Sequence, residues 1–442
     1  AVDAVAVADE MLQLVELEVY AIVAARDLAR IGAAPHDRGD DCGIADGVRR
    51  WRDDDGIADA EMRIGGEALV DRDRAELERE QKNNHEGKLT AEERGGVNGA
   101  SGDTSPSSRF MPTPILIDTD PGIDDAVALA LAAKLPDLRV VAITTVHGNT
   151  DVERATRNAR LVAAIAGLEA PIVAGAAAPL VREPRPARET HGAEGLGHVV
   201  PARAAEPEVD GAADMIIAKA RGHHKLTLCC LGPLTNLATA IAFAPDIADA
   251  LGPVFVMGGA IGVPGTQTEV SEFNWWSDPE AADFVLHASL DLRLVPLDVT
   301  RRIAVPGSAI RALEDAGKDD ERARFWADAL RFYGDFHREY EHFDGCIIND
   351  ALAIALTADP SLAKWEEMRL AVSLSDDERR GAVRSSTNGA RVSVARSVRA
   401  EDVLALIEKH VFASWLPAGT LSRGAADADR WLAAAASRET GE

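Results

Sequence analysis

Four carboxylates fall within eight residues in the run Asp118-Thr-Asp-Pro-Gly-Ile-Asp-Asp125. The run follows the apolar stretch Pro114–Ile117 and precedes the alanine-rich stretch Ala126–Ala133. A buried strand therefore delivers acids into a Pro-Gly turn, and a helix starts on its far side. The helix macrodipole accounts for Asp124 and Asp125, which sit where negative charge is favoured at a helix N-terminus. It does not account for Asp118 and Asp120 at the strand end. Acids this close repel one another unless a cation or a bound proton offsets them. With no Cys or His beside them, the donors suit a hard divalent ion such as Ca²⁺ or Mg²⁺.

The same alternation continues along the chain. β-type runs occur at Ile115–Ile117, Arg139–Thr145, Pro171–Val173, Lys225–Leu231, Pro253–Met257, Asp291–Pro296 and Met368–Val372. Helical stretches fall between them at Ala126–Leu135, Val152–Ala166, Ala212–Ala220, Leu234–Ala244, Pro279–His287 and Ala309–Ala316. This pattern predicts an α/β domain with a mostly parallel sheet. Loops leaving the carboxyl ends of such strands form the ligand crevice. Asp118–Asp125, Val146–Asn149, Leu231–Gly232 and Gly258–Asn274 are loops of this kind, so one site is expected to gather all four. No internal repeat is evident.

Residues 1–110 differ in character. They are rich in Asp, Arg, Glu and Gly and end in the linker-like Ser101–Phe110. A largely disordered extension with one or two helices, or an over-extended reading frame, is expected there. Residues 111–442 are expected to form the working domain, with Met111 as its natural start. The net charge of −26 argues against nucleic acid or an anionic membrane surface as partner. No apolar stretch reaches the length of a membrane span, and no secretory signal is evident. Cys42, Cys229, Cys230 and Cys346 make no disulfide framework, so a reducing, cytoplasmic setting is expected.

The acidic motif resembles the signature of the inosine–uridine-preferring nucleoside hydrolases. Further segments resemble that family in order along the chain: Val146-His-Gly-Asn149, His191-Gly-Ala-Glu-Gly-Leu-Gly197, Leu231-Gly-Pro-Leu-Thr-Asn236, Val256-Met-Gly-Gly259, Glu272-Phe-Asn274, Asp278-Pro-Glu-Ala-Ala282, Pro296-Leu-Asp-Val-Thr300 and Asp344-Gly-Cys-Ile-Ile-Asn-Asp-Ala-Leu-Ala353. The resemblance implies a single Rossmann-like domain with a mostly parallel, mixed central sheet flanked by helices. It implies hydrolysis of the N-glycosidic bond of ribonucleosides with Ca²⁺, commonly in a homodimer or homotetramer. By the same resemblance, Asp120, Asp125, Asp350 and the main-chain carbonyl of Leu231 hold the metal, and Asp120 is also the general base. Asp124 and Asp350 accept from ribose hydroxyls, Asn149 orients the water or a hydroxyl, and Glu272 and Asn274 grip the sugar. Asp118 is either outside the metal shell beside it or simply bonded to backbone.

Two positions depart from the family pattern. Many members carry His-Asp-Pro where this chain has Asn349-Asp350-Ala351, and that His is a favoured proton donor to the leaving base. An Asn amide cannot titrate. The family's Asn six residues before Glu272 is here Thr266, whose hydroxyl has shorter reach. His191 is the expected substitute acid. The segment Tyr333–Phe343 resembles the mobile helix that caps the base, which makes His337 and Tyr340 further candidates. Trp275 and Trp276 are expected in the core. The alternatives are a degenerate relative that binds ribose or nucleoside without turnover, and a haloacid-dehalogenase-type phosphatase. The second leaves every downstream motif unexplained.

Overall fold

The computed structural model describes residues 111–201 and 211–440. The expectations for residues 1–110 lie outside these. Eleven strands are present among the described residues: β1 Thr113–Thr119, β2 Leu138–Thr145, β3 Ile172–Ala174, β4 Leu226–Cys230, β5 Leu251–Met257, β6 Leu292–Val295, β7 Ala304–Pro306, β8 Gly345–Ile347, β9 Ala363–Val372, β10 Val383–Ser385 and β11 Ala390–Val398. Nine of them form one sheet in the order β10-β9-β11-β6-β5-β4-β1-β2-β3, and β7 pairs with β8 in a small antiparallel ribbon. From β3 across to β11 every pairing is parallel; β9 runs antiparallel to β11, and β10 to β9. The sheet is thus mixed but mostly parallel, as the alternating pattern predicts.

Its central strands β4 and β5 are near-continuous apolar runs, as expected of strands covered on both faces. The helices that position the site are α1 Ile123–Lys134, α2 Val152–Ala166, α3 Arg188–His191, α4 Thr235–Phe243, α5 Phe273–Ser277, α6 Pro279–His287, α7 Leu297–Thr300, α8 Glu321–Tyr340 and α9 Asn349–Ala358. α1 is apolar almost all round and sits between α2 and α9. The core joins Ile115, Ile117, Leu129 and Phe255 to Leu330 and Leu352. Trp275 and Trp276 are buried, as expected.

The central strands run 3-2-1-4-5-6. The order reverses between β1 and β4, so the connections from these two strands leave toward opposite sides and open a crevice at their carboxyl ends. The Asp118–Asp125 loop leaves β1 at that point, and Leu231-Gly232 leaves β4.

Candidate active site

Asp118 closes β1 and braces its neighbours. Its Oδ1 accepts from Thr144 Oγ1 at 2.6 Å and from Asn236 Nδ2 at 2.8 Å. Asn236 also donates to the Thr145 carbonyl and accepts from Ala176 N–H, which ties α4 to β2 and to the loop after β3. Both partners of the Asp118 carboxyl are side chains, in place of the backbone bonds that one of its two readings expected. Burial lifts its pKa to about 7 against the pull of both partners.

The next three acids are all buried, and of them Asp124 lines the cavity. Asp125 accepts from Gly122 N–H at 2.9 Å, from Asn149 Nδ2 at 3.1 Å and from the Thr119 hydroxyl. Asp120 Oδ2 accepts from Asn149 N–H at 2.7 Å. Asp350, in the first turn of α9, comes from more than two hundred residues away. Asp124, Asp125 and Asp350 each offer an oxygen within 4.8 Å of the others. Asp120 Oδ1 and Asp124 Oδ1 are buried and accept no hydrogen bond. Two glycines permit the close approach: a Cβ on Gly148 would lie 1.9 Å from Asp120 Oδ2, and one on Gly232 would lie 2.7 Å from Asp120 Oδ1.

Burial raises all four carboxyls above their usual range. Asp125 adds to the rise at Asp120 and Asp124, and Asp124, Asp125 and Asp120 add to it at Asp350. Asp124 reaches about 7. Buried carboxylates with unpartnered oxygens are costly as they stand. An all-oxygen donor set of this kind fits a hard divalent cation. The Leu231 carbonyl, on the loop that abuts Asp120, accepts from Asn274 Nδ2 at 2.6 Å and keeps a second lone pair.

A cavity opens above these acids. Asp124, Asn149, Leu231, Thr266, Glu272, Asn274, His191, His337, Asn349 and Asp350 all line it, so the structure brings these residues of ten separate sequence positions to one wall. Glu272 caps α5: Oε1 accepts from Asn274 N–H at 2.7 Å, and Oε2 accepts from Gly259 N–H at 2.9 Å and Trp275 N–H at 3.2 Å. That cap aims Asn274 at Leu231. Thr266 Oγ1 accepts from Phe273 N–H at 3.1 Å.

The sequence profile of the inosine-uridine preferring nucleoside hydrolase family matches residues 115–405. The chain belongs to this family. It is 38% identical over 270 residues to an inosine-uridine preferring nucleoside hydrolase of Leishmania major, covering 60% of this chain and 84% of the relative. It is 34% identical over 250 residues to a probable uridine nucleosidase of Oryza sativa, covering 56% and 76% respectively. A solved plant nucleoside hydrolase superposes with a TM-score of 0.64 at 32% identity, covering 69% of this chain and 100% of that structure. A purine-preferring ribonucleoside hydrolase from Gardnerella vaginalis gives 0.63 at 25%, covering 72% and 99%. This nucleoside hydrolase is therefore an N-glycosidase. Among the described residues no helix is long and apolar enough to cross a membrane.

The hydrolase departs from the family pattern at Asn349 and Thr266. Asn349 Oδ1 accepts from the Thr300 hydroxyl at 2.8 Å, and its Nδ2 faces Asp124 Oδ2 at 3.4 Å. It braces Asp124 and has no proton to give. His191 is buried, and its Nδ1 accepts from Ile123 N–H at 3.2 Å. Burial, with His337 nearby, pushes its pKa down to about 3. The expectation that His191 is the acid is thus revised: its ring is neutral and offers only an Nε2–H hydrogen bond. Tyr340 is also revised. It is 63% exposed, stacks on Phe336 at the end of α8, and does not reach the cavity wall. Phe336 and Tyr333, one and two turns earlier on α8, line it instead, with Arg301 and Glu341. The capping-helix pattern marked that segment without showing which of its aromatics turn inward.

Proposed function

We propose that the chain hydrolyses ribonucleosides to free base and ribose with Ca²⁺ bound at Asp120, Asp125, Asp350 and the Leu231 carbonyl. The observation that carries this reading is the buried carboxylate group with unpartnered oxygens at the sheet's switch point, facing a cavity walled by hydroxyl-binding side chains. When bound, the ion supplies a Lewis acid that orients a water and a sugar diol and lowers the water's pKa.

The protein's own groups do the rest. Asp120 takes the proton of the attacking water. Asn149 N–H fixes Asp120 Oδ2, which leaves Oδ1 as the base. Asn149 Nδ2 orients the same water from the Asp125 side. Asp124 accepts from a ribose hydroxyl and is held in register by Asn349. Asn274 donates to the diol, while Glu272 and Thr266 take the hydroxymethyl end through lone pairs left by their backbone bonds. Closing the sugar in this wall excludes bulk water and favours an oxocarbenium-like transition state beside fixed negative charge.

Ribose release from inosine, uridine, adenosine and cytidine, with Ca²⁺ and with chelator, tests the reading. Chelator-sensitive release is expected, and the ranking of substrates names the preferred base. Saturable nucleoside binding with no release from any of the four would instead make the chain a binding protein.

A further inference from the structure

A hydrolase needs a proton for its departing base, and the usual position for that donor holds Asn349. Two buried histidines face the cavity, and their ring nitrogens are used in opposite senses. His191 Nδ1 accepts a backbone N–H, so it carries no proton. His191 could become an imidazolium only by breaking that bond. His337 Nδ1 lies 2.9 Å from the Tyr333 carbonyl, which can only accept, so this nitrogen carries a proton in every state of the ring. The nitrogen of His337 free to titrate is therefore Nε2. It lies 3.8 Å from Glu341 Oε2, one helical turn further on, and both residues line the cavity.

We propose that His337, paired with Glu341, donates the proton to the leaving base, in place of a residue at position 349. This rests on the hydrolase reading above. Asp120 receives a proton from water as the C1′–O bond forms. The C1′–N bond breaks, its electron pair stays on the base, and a ring nitrogen of the base takes the Nε2 proton of His337. The Asp120 proton then returns to His337 through solvent, so the cycle consumes one water and no other reagent.

The groups around the ring suit this. Glu341 stabilises the imidazolium. Burial and Arg301, which follows α7, oppose it, so the net effect is a lowered pKa. His191, from α3, and Tyr333 complete the shell; the Tyr333 ring packs 4.5 Å from His337 and 5.2 Å from His191. A lowered pKa makes a stronger acid, and the Glu341 carboxylate partly offsets the loss of the imidazolium that burial causes.

The test compares His337→Gln with the parent enzyme on inosine, uridine and p-nitrophenyl riboside, whose leaving group needs no proton. The expected result is a loss of about 10²–10³-fold on the nucleosides, against less than about threefold on the riboside. The alkaline fall in kcat/KM for nucleosides should also disappear. An equal loss on both substrate types, or no loss on either, overturns the assignment. Glu341→Gln gives a second reading that does not depend on the folding of the first variant. Without the carboxylate the imidazolium is less stable, so the alkaline fall should move to lower pH; an unmoved profile overturns the pairing. A parent enzyme inert toward the nucleosides as well as p-nitrophenyl riboside would sink the hydrolase reading itself. A parent active on it, with His337→Gln impaired equally on all substrates, would sink only the role of His337.

Discussion

Asp120→Asn lowers ribose release by about 10²–10⁴-fold at saturating Ca²⁺ and leaves the metal-free protein at least as stable as the parent above pH 7. Both halves follow from the same surroundings. The amide keeps an oxygen for the Asn149 N–H bond, so the loop geometry survives. It cannot take a proton from water, so turnover falls. In the absence of an ion, Asp120 is a fully buried carboxyl that burial and Asp125 make costly to ionise. Removing its charge relieves that cost. Active-site groups held at the expense of stability commonly behave in this way. Steady-state kinetics and thermal unfolding on the same preparation check the pair of effects. A variant that loses both activity and stability would indicate a structural lesion, and one that keeps full activity would remove Asp120 from the base role.

Chelation should make the protein progressively less stable as pH rises from about 4 to about 7. Asp124 rises from 3.8 to about 7 in the folded state, chiefly through burial and then through Asp125. A carboxyl with a raised folded pKa binds its proton more tightly folded than unfolded. The folded state therefore holds more protons across that window, and stability declines through it. The penalty is complete above pH 7 and relieved toward pH 4. A rise of about three units corresponds to about 4 kcal/mol for one group. Asp118 shifts over the same range but braces the sheet, so its share should remain whether or not an ion is bound. Bound Ca²⁺ replaces the protons on the cluster and stabilises the folded state by mass action. Unfolding temperatures with Ca²⁺ and with chelator should therefore diverge with pH, by on the order of 10 °C at pH 8. A constant gap from pH 5 to pH 8 would mean that the ion does not compete for these carboxyls.

Strands β1 to β6 were legible in the sequence, with the first strand and helix read as Ile115–Ile117 and Ala126–Leu135 against the observed Thr113–Thr119 and Ile123–Lys134, because buried parallel strands are largely apolar runs and most of the helices between them are alanine-rich. The far edge was harder to read. β9 begins Ala-Lys-Trp-Glu-Glu, with one face exposed, and only its last five residues look like a strand. Its antiparallel partner β11 alternates polar and apolar residues, and no strand was expected there. The acids of the site were legible because so many charges in one turn have few structural uses. Asn236 stands in the sequence only as the end of a motif, and its work as a strut between Asp118, Thr145 and Ala176 depends on three segments meeting. The histidines show the limit most plainly. The family resemblance marks His191 and His337 alike. Only the backbone groups that meet each Nδ1, Ile123 N–H in one case and the Tyr333 carbonyl in the other, separate a neutral hydrogen-bond donor from a titratable acid.

The central claim is that the buried carboxylates hold one divalent ion and that hydrolysis requires it. Equilibrium dialysis of metal-free enzyme against Ca²⁺, with ribose release from inosine and uridine measured on the same samples, tests it most directly. One ion per chain is expected, with a rate that tracks occupancy, and loss of both in Asp125→Ala and Asp350→Ala. Full hydrolysis in ion-free enzyme, or Ca²⁺ bound undiminished by both variants, would contradict it.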